Sequence, residues 1–167
     1  MPINSKSAEI LKRACELLEN GMAGSLVVQK SGCVEQPIPI VGLNHDLHSW
    51  FVPVTIGKLL VGFFEFRPDL VLKKYSSFQR HEESLDGCPL AKLWIDAKSI
   101  RHRIDEKIRQ DEKVHEPFLT YDKSPSRLAW AIVLEAPDGT SRILYIAGNE
   151  VWEVDSANID ENSFGHP

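Results

Sequence analysis

Of the residues in this chain able to do chemistry, the densest group is Asn44-His45-Asp46-Leu47-His48, which puts two imidazoles and a carboxylate within five positions. Imidazole nitrogen and carboxylate oxygen are donors that zinc and other divalent metals accept, so His45, Asp46 and His48 are the candidate metal ligands. A metal needs three or four ligands converging from defined directions, and on an extended strand two histidines three positions apart point to opposite faces. A shared metal therefore requires a turn here. A turn with solvated polar side chains is the simpler reading, and acid–base work by the same imidazoles is a further alternative. A second group, His81-Glu82-Glu83 with Asp86 and Cys88, precedes Pro89. A helix opening at Pro89 would stabilise a Cys88 thiolate and leave His81 as its base. Asp86 or Ser84 in front of such a helix also matches ordinary capping, which is the reading taken, and no catalytic residue is assigned. His102 and His115 stand among charged neighbours and read as surface residues.

Signatures of the common cofactor and nucleophile chemistries are absent. The glycines are dispersed, with no GxGxxG or GxxxxGK[ST] phosphate cradle, and neither a G-x-S-x-G elbow nor an H-E-x-x-H helix occurs. Nineteen Lys and Arg against twenty-four Asp and Glu leave a formal charge of -5, which offers phosphate backbones and anionic lipids no bulk attraction. In the most basic stretch, Lys98 to Lys113, the charges nearly cancel, as on a solvated helix face. Nucleic acid and membrane are therefore not expected as partners. Cys15, Cys33 and Cys88 lack a CxxC spacing and fit a reducing compartment. The opening residues lack the apolar stretch of a signal peptide, and no run approaches the roughly 18 apolar residues of a membrane span, so a cytoplasmic location is the expectation.

The elements that would position these groups follow from hydrophobic spacing. With 43% hydrophobic residues, a chain of 167 is long enough to bury a core, and a single α+β domain over 1–155 is expected, followed by a flexible acidic tail at 156–167. Ile10, Leu11, Ala14, Leu17 and Leu18 predict an amphipathic helix over Ser7–Asn20, capped by Ser5 or Ser7 and stopped by Gly21. Ser25–Lys30 reads as a short strand, and Val34–Leu43, with Pro37 and Pro39, as an edge strand or extended loop. Ser49–Ile56, Lys58–Arg67 and Leu70–Phe78 form an antiparallel meander, with Leu59–Phe64 apolar enough to be buried on both faces. Pro89 opens a second amphipathic helix running to Gln110, about 30 Å long and packed on the sheet. Leu128–Glu135, Arg142–Ala147 and Val151–Val154 make a second meander through the Pro137-Asp138-Gly139 and Gly148-Asn149 turns. Trp50, Trp94 and Trp130 fall in the core by position, whereas Trp152 is the tryptophan expected at an interface.

Both halves follow the order helix, linker, meander, and their registers agree at an offset of eighty: Trp50-x-Val52-x-Val54 lies over Trp130-x-Ile132-x-Leu134. A duplicated α-β-β-β unit, with repeats 6–80 and 86–155, is one reading, and convergence of two ordinary hairpins is the other. The block Leu128-Ala-Trp-Ala-Ile-Val-Leu-Glu, followed by Arg142-Ile-Leu-Tyr-Ile-Ala-Gly-Asn-Glu-Val, resembles the strand-turn-strand end of the PepSY family. That resemblance covers about thirty residues and implies a tandem helix-plus-meander module that binds or inhibits another protein, with no functional residue carried over. Ile146-Ala147-Gly148-Asn149 stands where the family shows Asp-Ala-x-x-Gly. The chain accordingly reads as a non-enzymatic protein-binding or regulatory module, acting on a protein partner or by self-association. The alternative is a small metal-dependent enzyme or ligand-binding protein, its pocket between sheet and long helix and its divalent metal on His45, Asp46 and His48.

Overall fold

A computed structural model describes residues 3–122 and 127–155. The fold is α+β. Helix α1 spans Ile3–Glu19, α2 Leu26–Ser31, α3 Lys92–Ile95 and α4 Ala97–His102, with a 3-10 turn at Asp105–Lys107. The strands are β1 (Cys33–Val34), β2 (Ile38–Val41), β3 (Leu47–Ile56), β4 (Leu59–Phe66), β5 (Leu72–Ser77), β6 (Lys113–Val114), β7 (Phe118–Tyr121), β8 (Leu128–Glu135), β9 (Ser141–Ala147) and β10 (Glu150–Asp155). The pairs β1–β3, β3–β4, β4–β5, β6–β8, β7–β8, β8–β9 and β9–β10 are antiparallel, and Ile40↔Leu119 joins β2 and β7 in parallel, so the pattern is mixed. The expected acidic tail lies outside the described residues.

The chain gathers into two compact units, one holding Leu47–Ala91 with the chain up to Pro39, the other holding Ile40–Asp46 with the chain from Lys92 onward. In the first, β3, β4 and β5 form a meander with β1 on β3. Ile10, Ala14 and Leu18 recur every four positions, and this stripe of α1 packs with Val28 on Trp50, Val52, Val54, Phe64 and Phe66. Every residue of β4 after Leu59 is buried. Gly21, at φ 69, ends the helix, and the amides of Gly21 and Met22 reach back to the carbonyls of Leu18 and Leu17. Ser5 and Ser7 lie inside α1 rather than capping it.

The strand expected at Ser25–Lys30 is instead helix α2. Ser25 is extended and its hydroxyl accepts from the amide of Val28, and of the apolar run only Val28 is buried, so the cap in front of the run outweighs the strand preference of its two valines. The long helix expected from Pro89 to Gln110 is likewise corrected. Pro89–Ala91 is extended along β4: the Pro89 carbonyl accepts from Leu60 N, and Ala91 N donates to the Lys58 carbonyl. The helix then starts at Lys92 and breaks at Asp96, whose extended backbone and carboxylate cap α4 by accepting from Lys98 N at 3.2 Å and Ser99 Oγ at 2.7 Å. Asp-x-x-Ser is an N-cap signal, and here it overrides an uninterrupted apolar stripe.

The second unit orders its strands β10-β9-β8-β7, with β6 on β8. Its pairing repeats the first unit's at eighty positions along the chain. Val34↔Val54 becomes Val114↔Leu134, Trp50↔Phe66 becomes Trp130↔Ile146, and Val54↔Gly62 becomes Leu134↔Arg142. The loop contact of Glu35 N with the Pro53 carbonyl recurs as His115 N with Val133.

The two tryptophans at corresponding positions differ in one respect. The Trp130 indole donates to the Trp94 carbonyl at 2.8 Å, whereas the buried Trp50 indole nitrogen has no partner among the described residues. Replacing Trp130 by Phe is expected to cost about 1–3 kcal/mol more in urea unfolding than replacing Trp50 by Phe, because only the first change deprives a carbonyl of its donor. An equal or reversed ranking would show that ring volume, not the hydrogen bond, sets the cost.

Candidate functional site

The residues of the histidine cluster do not converge. Gly42–Asp46 is a tight turn closed by Gly42 N to the Asp46 carbonyl at 2.9 Å and by His45 N to Gly42 at 2.8 Å, with His45 at φ 64. The Asn44 amide donates to Asp46 Oδ2 at 2.7 Å, and the His45 ring lies against Phe118, centroids 4.8 Å apart. His48 is already in β3, where its Nδ1 lies 3.0 Å from Ser49 Oγ. Loss of water around the ring lowers the His48 pKa, Lys73 lowers it further, and Glu65 opposes both. Among the described residues no group of three or more His, Cys, Asp or Glu side chains is gathered to hold a metal ion.

The second polar group has lost the helix end that would have activated it. Ser84 Oγ accepts from Asp86 N within its own turn, and Pro89 continues into extended chain. Cys88 packs against the core of its unit, and burial, then Asp86, push its thiol pKa up, away from a reactive thiolate.

The charges that the fold does organise lie on central strands. Glu65 of β4 is fully buried and accepts from Ser49 Oγ at 2.8 Å, while Lys73 and Lys74 bring their ammonium groups to 3.4 and 3.7 Å. Two adjacent lysines reach one carboxylate because Lys73 is the extra residue of a bulge: Glu65 pairs with Lys74 and Phe66 with Leu72. In the second unit Arg142 of β9 holds Glu112 through two parallel bonds, Nε to Oε2 at 2.9 Å and Nη2 to Oε1 at 2.7 Å, and adds Glu153 Oε2 at 3.2 Å and the Lys107 carbonyl at 2.6 Å. Glu112 retains 4% side-chain exposure and Arg142 8%, so the pair is dry and fastens the segment after α4 to β9. None of these residues stood out in sequence, although the signal was present as one charged residue within an apolar strand.

The outer strands of the two units differ accordingly. Along β5 the bulge and its two lysines interrupt the pairing surface. Strand β10 pairs with β9 without a break over six positions, from Glu150↔Ala147 to Asp155↔Arg142. Trp152 at its centre stacks on Tyr145 with centroids 5.7 Å apart, and the Arg127 guanidinium lies 4.0 Å over its ring while also pairing with Glu150. The two-residue Gly148-Asn149 turn closes on the Ala147↔Glu150 pair, so the alternation of an antiparallel ladder turns the main-chain groups of Val151 and Glu153 away from β9. Among the described residues nothing pairs with them. No family model, curated protein or solved structure matches this chain.

Hydrogen bonding to Arg142 holds the Glu112 carboxyl at about 2, well below its ordinary 4.5. A carboxylate with a depressed folded-state pKa contributes its full stability above the unfolded value and loses it as pH falls through the folded one. Urea unfolding should therefore lose up to about 3 kcal/mol between pH 4.5 and 2 from this group, and Glu112→Gln should flatten that part of the profile. An unchanged acid limb in the variant would place the loss on other carboxylates.

Proposed function

We propose that this chain is a non-enzymatic protein-binding module whose contact element is the outer edge of β10, to which an extended segment of a partner adds as a further strand. The regular six-pair register of β10 carries the reading, because only an unbulged edge presents its free N–H and C=O groups at the spacing a new strand needs. Trp152 supplies a rigid aromatic surface at the middle of that edge, as expected of a binding hot spot. Glu150 and Glu153 on that edge are each held by arginines of their own unit, Arg127 for the first and Arg142 with Arg109 for the second, so recognition rests on main-chain pairing and Trp152 rather than on charge. The PepSY-like stretch, Leu128–Glu135 with Arg142–Val151, runs through β8 and β9 to the start of β10, and the matched registers support descent of repeats 6–80 and 86–155 from one duplicated unit. On this reading the duplication left one copy with a blunted edge and the other with an open one.

Selection of a random extended-peptide library on the immobilised protein is expected to enrich extended segments that alternate apolar with polar residues, and to perturb the backbone amides of 150–154 in nuclear magnetic resonance spectra. Val151→Pro should abolish that binding at little cost to stability, since its N–H faces outward. Enriched peptides that still bind the variant, or that shift residues elsewhere, would overturn the assignment to β10. Sedimentation should show a monomer; a dimer abolished by the same substitution would make a second copy the partner.

A further inference from the structure

A cleft of about 440 Å3 opens in the first unit between the start of α2 and the end of β5 with its following loop. Its walls are Gly24, Ser25, Leu26 and Gln29 on one side and Tyr75, Ser77, Gln79, Arg80 and Glu82 on the other. Those walls are held from within. Ser25 Oγ donates to Gln79 Oε1 at 3.0 Å, and Gln79 Nε2 donates to the carbonyls of Glu82 and Ser84, both at 3.2 Å. Gln29 Nε2 donates to the Gly24 carbonyl at 2.9 Å and so holds the turn before α2. A preformed cleft of this volume lies at the lower end of the range that small ligands occupy.

Two of its polar groups lack a partner. Arg13, Arg67, Arg101, Arg103, Arg109, Arg127 and Arg142 each make an ion pair or a hydrogen bond, whereas Arg80 makes neither among the described residues. Its exposed arm lies over Gly87, where an added Cβ would come within 2.6 Å of Arg80 Nε and 2.9 Å of Cδ and Cγ. Tyr75 is the second: its hydroxyl oxygen is buried without a partner among the described residues, seated on Gly62, and burial pushes its pKa up to about 12, so it stays a donor. Presenting that donor to a ligand requires the phenol to tilt off Gly62.

We propose that this cleft binds a small organic carboxylate. The planar guanidinium of Arg80 matches a carboxylate through two parallel bonds, Tyr75 donates to the ligand from the floor, and the exposed side chain of Leu26 covers a short apolar tail. Glu82 on the same rim repels a dianion, so a single carboxylate is favoured over inorganic phosphate.

The test is a titration of the isotope-labelled full chain with sodium isovalerate at constant ionic strength, with isovaleramide and inorganic phosphate as the comparison ligands. Saturable shifts are expected at the amides of residues 24–29 and 75–82, with isovaleramide, phosphate and the Arg80→Gln variant each binding about tenfold or more weakly. Tyr75→Phe should lower affinity several-fold while leaving the melting temperature unchanged or raised, since it removes a buried hydroxyl that has no partner. Shifts that do not saturate, equal affinity for the amide or for phosphate, or Arg80→Gln binding like the parent would overturn the proposal. An unaffected Tyr75→Phe variant would remove Tyr75 from it.

Discussion

A charge on a strand buried along its length has to be neutralised from within, and both units of this protein are arranged around that requirement. In β4 the charge is Glu65, answered by Ser49 from β3 and by two lysines from β5. In β9 it is Arg142, answered by Glu153 from β10, by Glu112 and by the Lys107 carbonyl. Removing one member of such a set leaves its partner desolvated and unpaired, which costs far more than the set contributes net. The central strands, their outer neighbours and the connecting segments are therefore fixed together by polar contacts inside otherwise apolar sheets.

The outer strands then diverge as their central partners demand. Glu65 draws two consecutive lysines to one side, which an alternating strand can supply only through a bulge, and the bulge spoils β5 as a pairing surface. Arg142 asks β10 for a single carboxylate, on the strand's ordinary alternation, and β10 stays regular. At the position of Glu65 the second unit has Tyr145, and Trp152 stacks on it from β10. One framework thus carries an ionic cluster in one unit and an aromatic stack in the other. The open edge proposed as the binding element follows from that exchange.

The cleft beside α2 illustrates a different consequence of local capping. Ser25 begins a helix where its neighbours favoured a strand, and the same hydroxyl then ties Gln79 and the loop after β5 across to it. Gly24 and Gln29 thereby stand opposite the end of β5, in the wall of the open cleft that Arg80 borders. In the same way Asp96, by capping α4, breaks the long stripe after Pro89 and leaves the following segment free to bring Glu112 to Arg142.

The α+β class, helix α1 and the two meanders were legible in the chain because they rest on periodicity: every fourth residue apolar from Ile10 to Leu18, alternation through Trp50 and Trp130, and glycine turns between strands. The eighty-residue correspondence was legible for the same reason. Sequence also exposed where chemistry was concentrated in the alphabet, at His45, Asp46 and His48, but nearness along the chain does not set direction, and the turn at Gly42–Asp46 sends these side chains to separate partners. What tertiary structure alone decided were the matters of competition and distance: whether a capping hydroxyl or carboxylate overrides an apolar run, as at Ser25 and Asp96, and which buried charge meets which partner across sixteen residues for Ser49 and Glu65 or thirty for Glu112 and Arg142. Those outcomes depend on which groups are withdrawn from water together, and only the packed chain determines that.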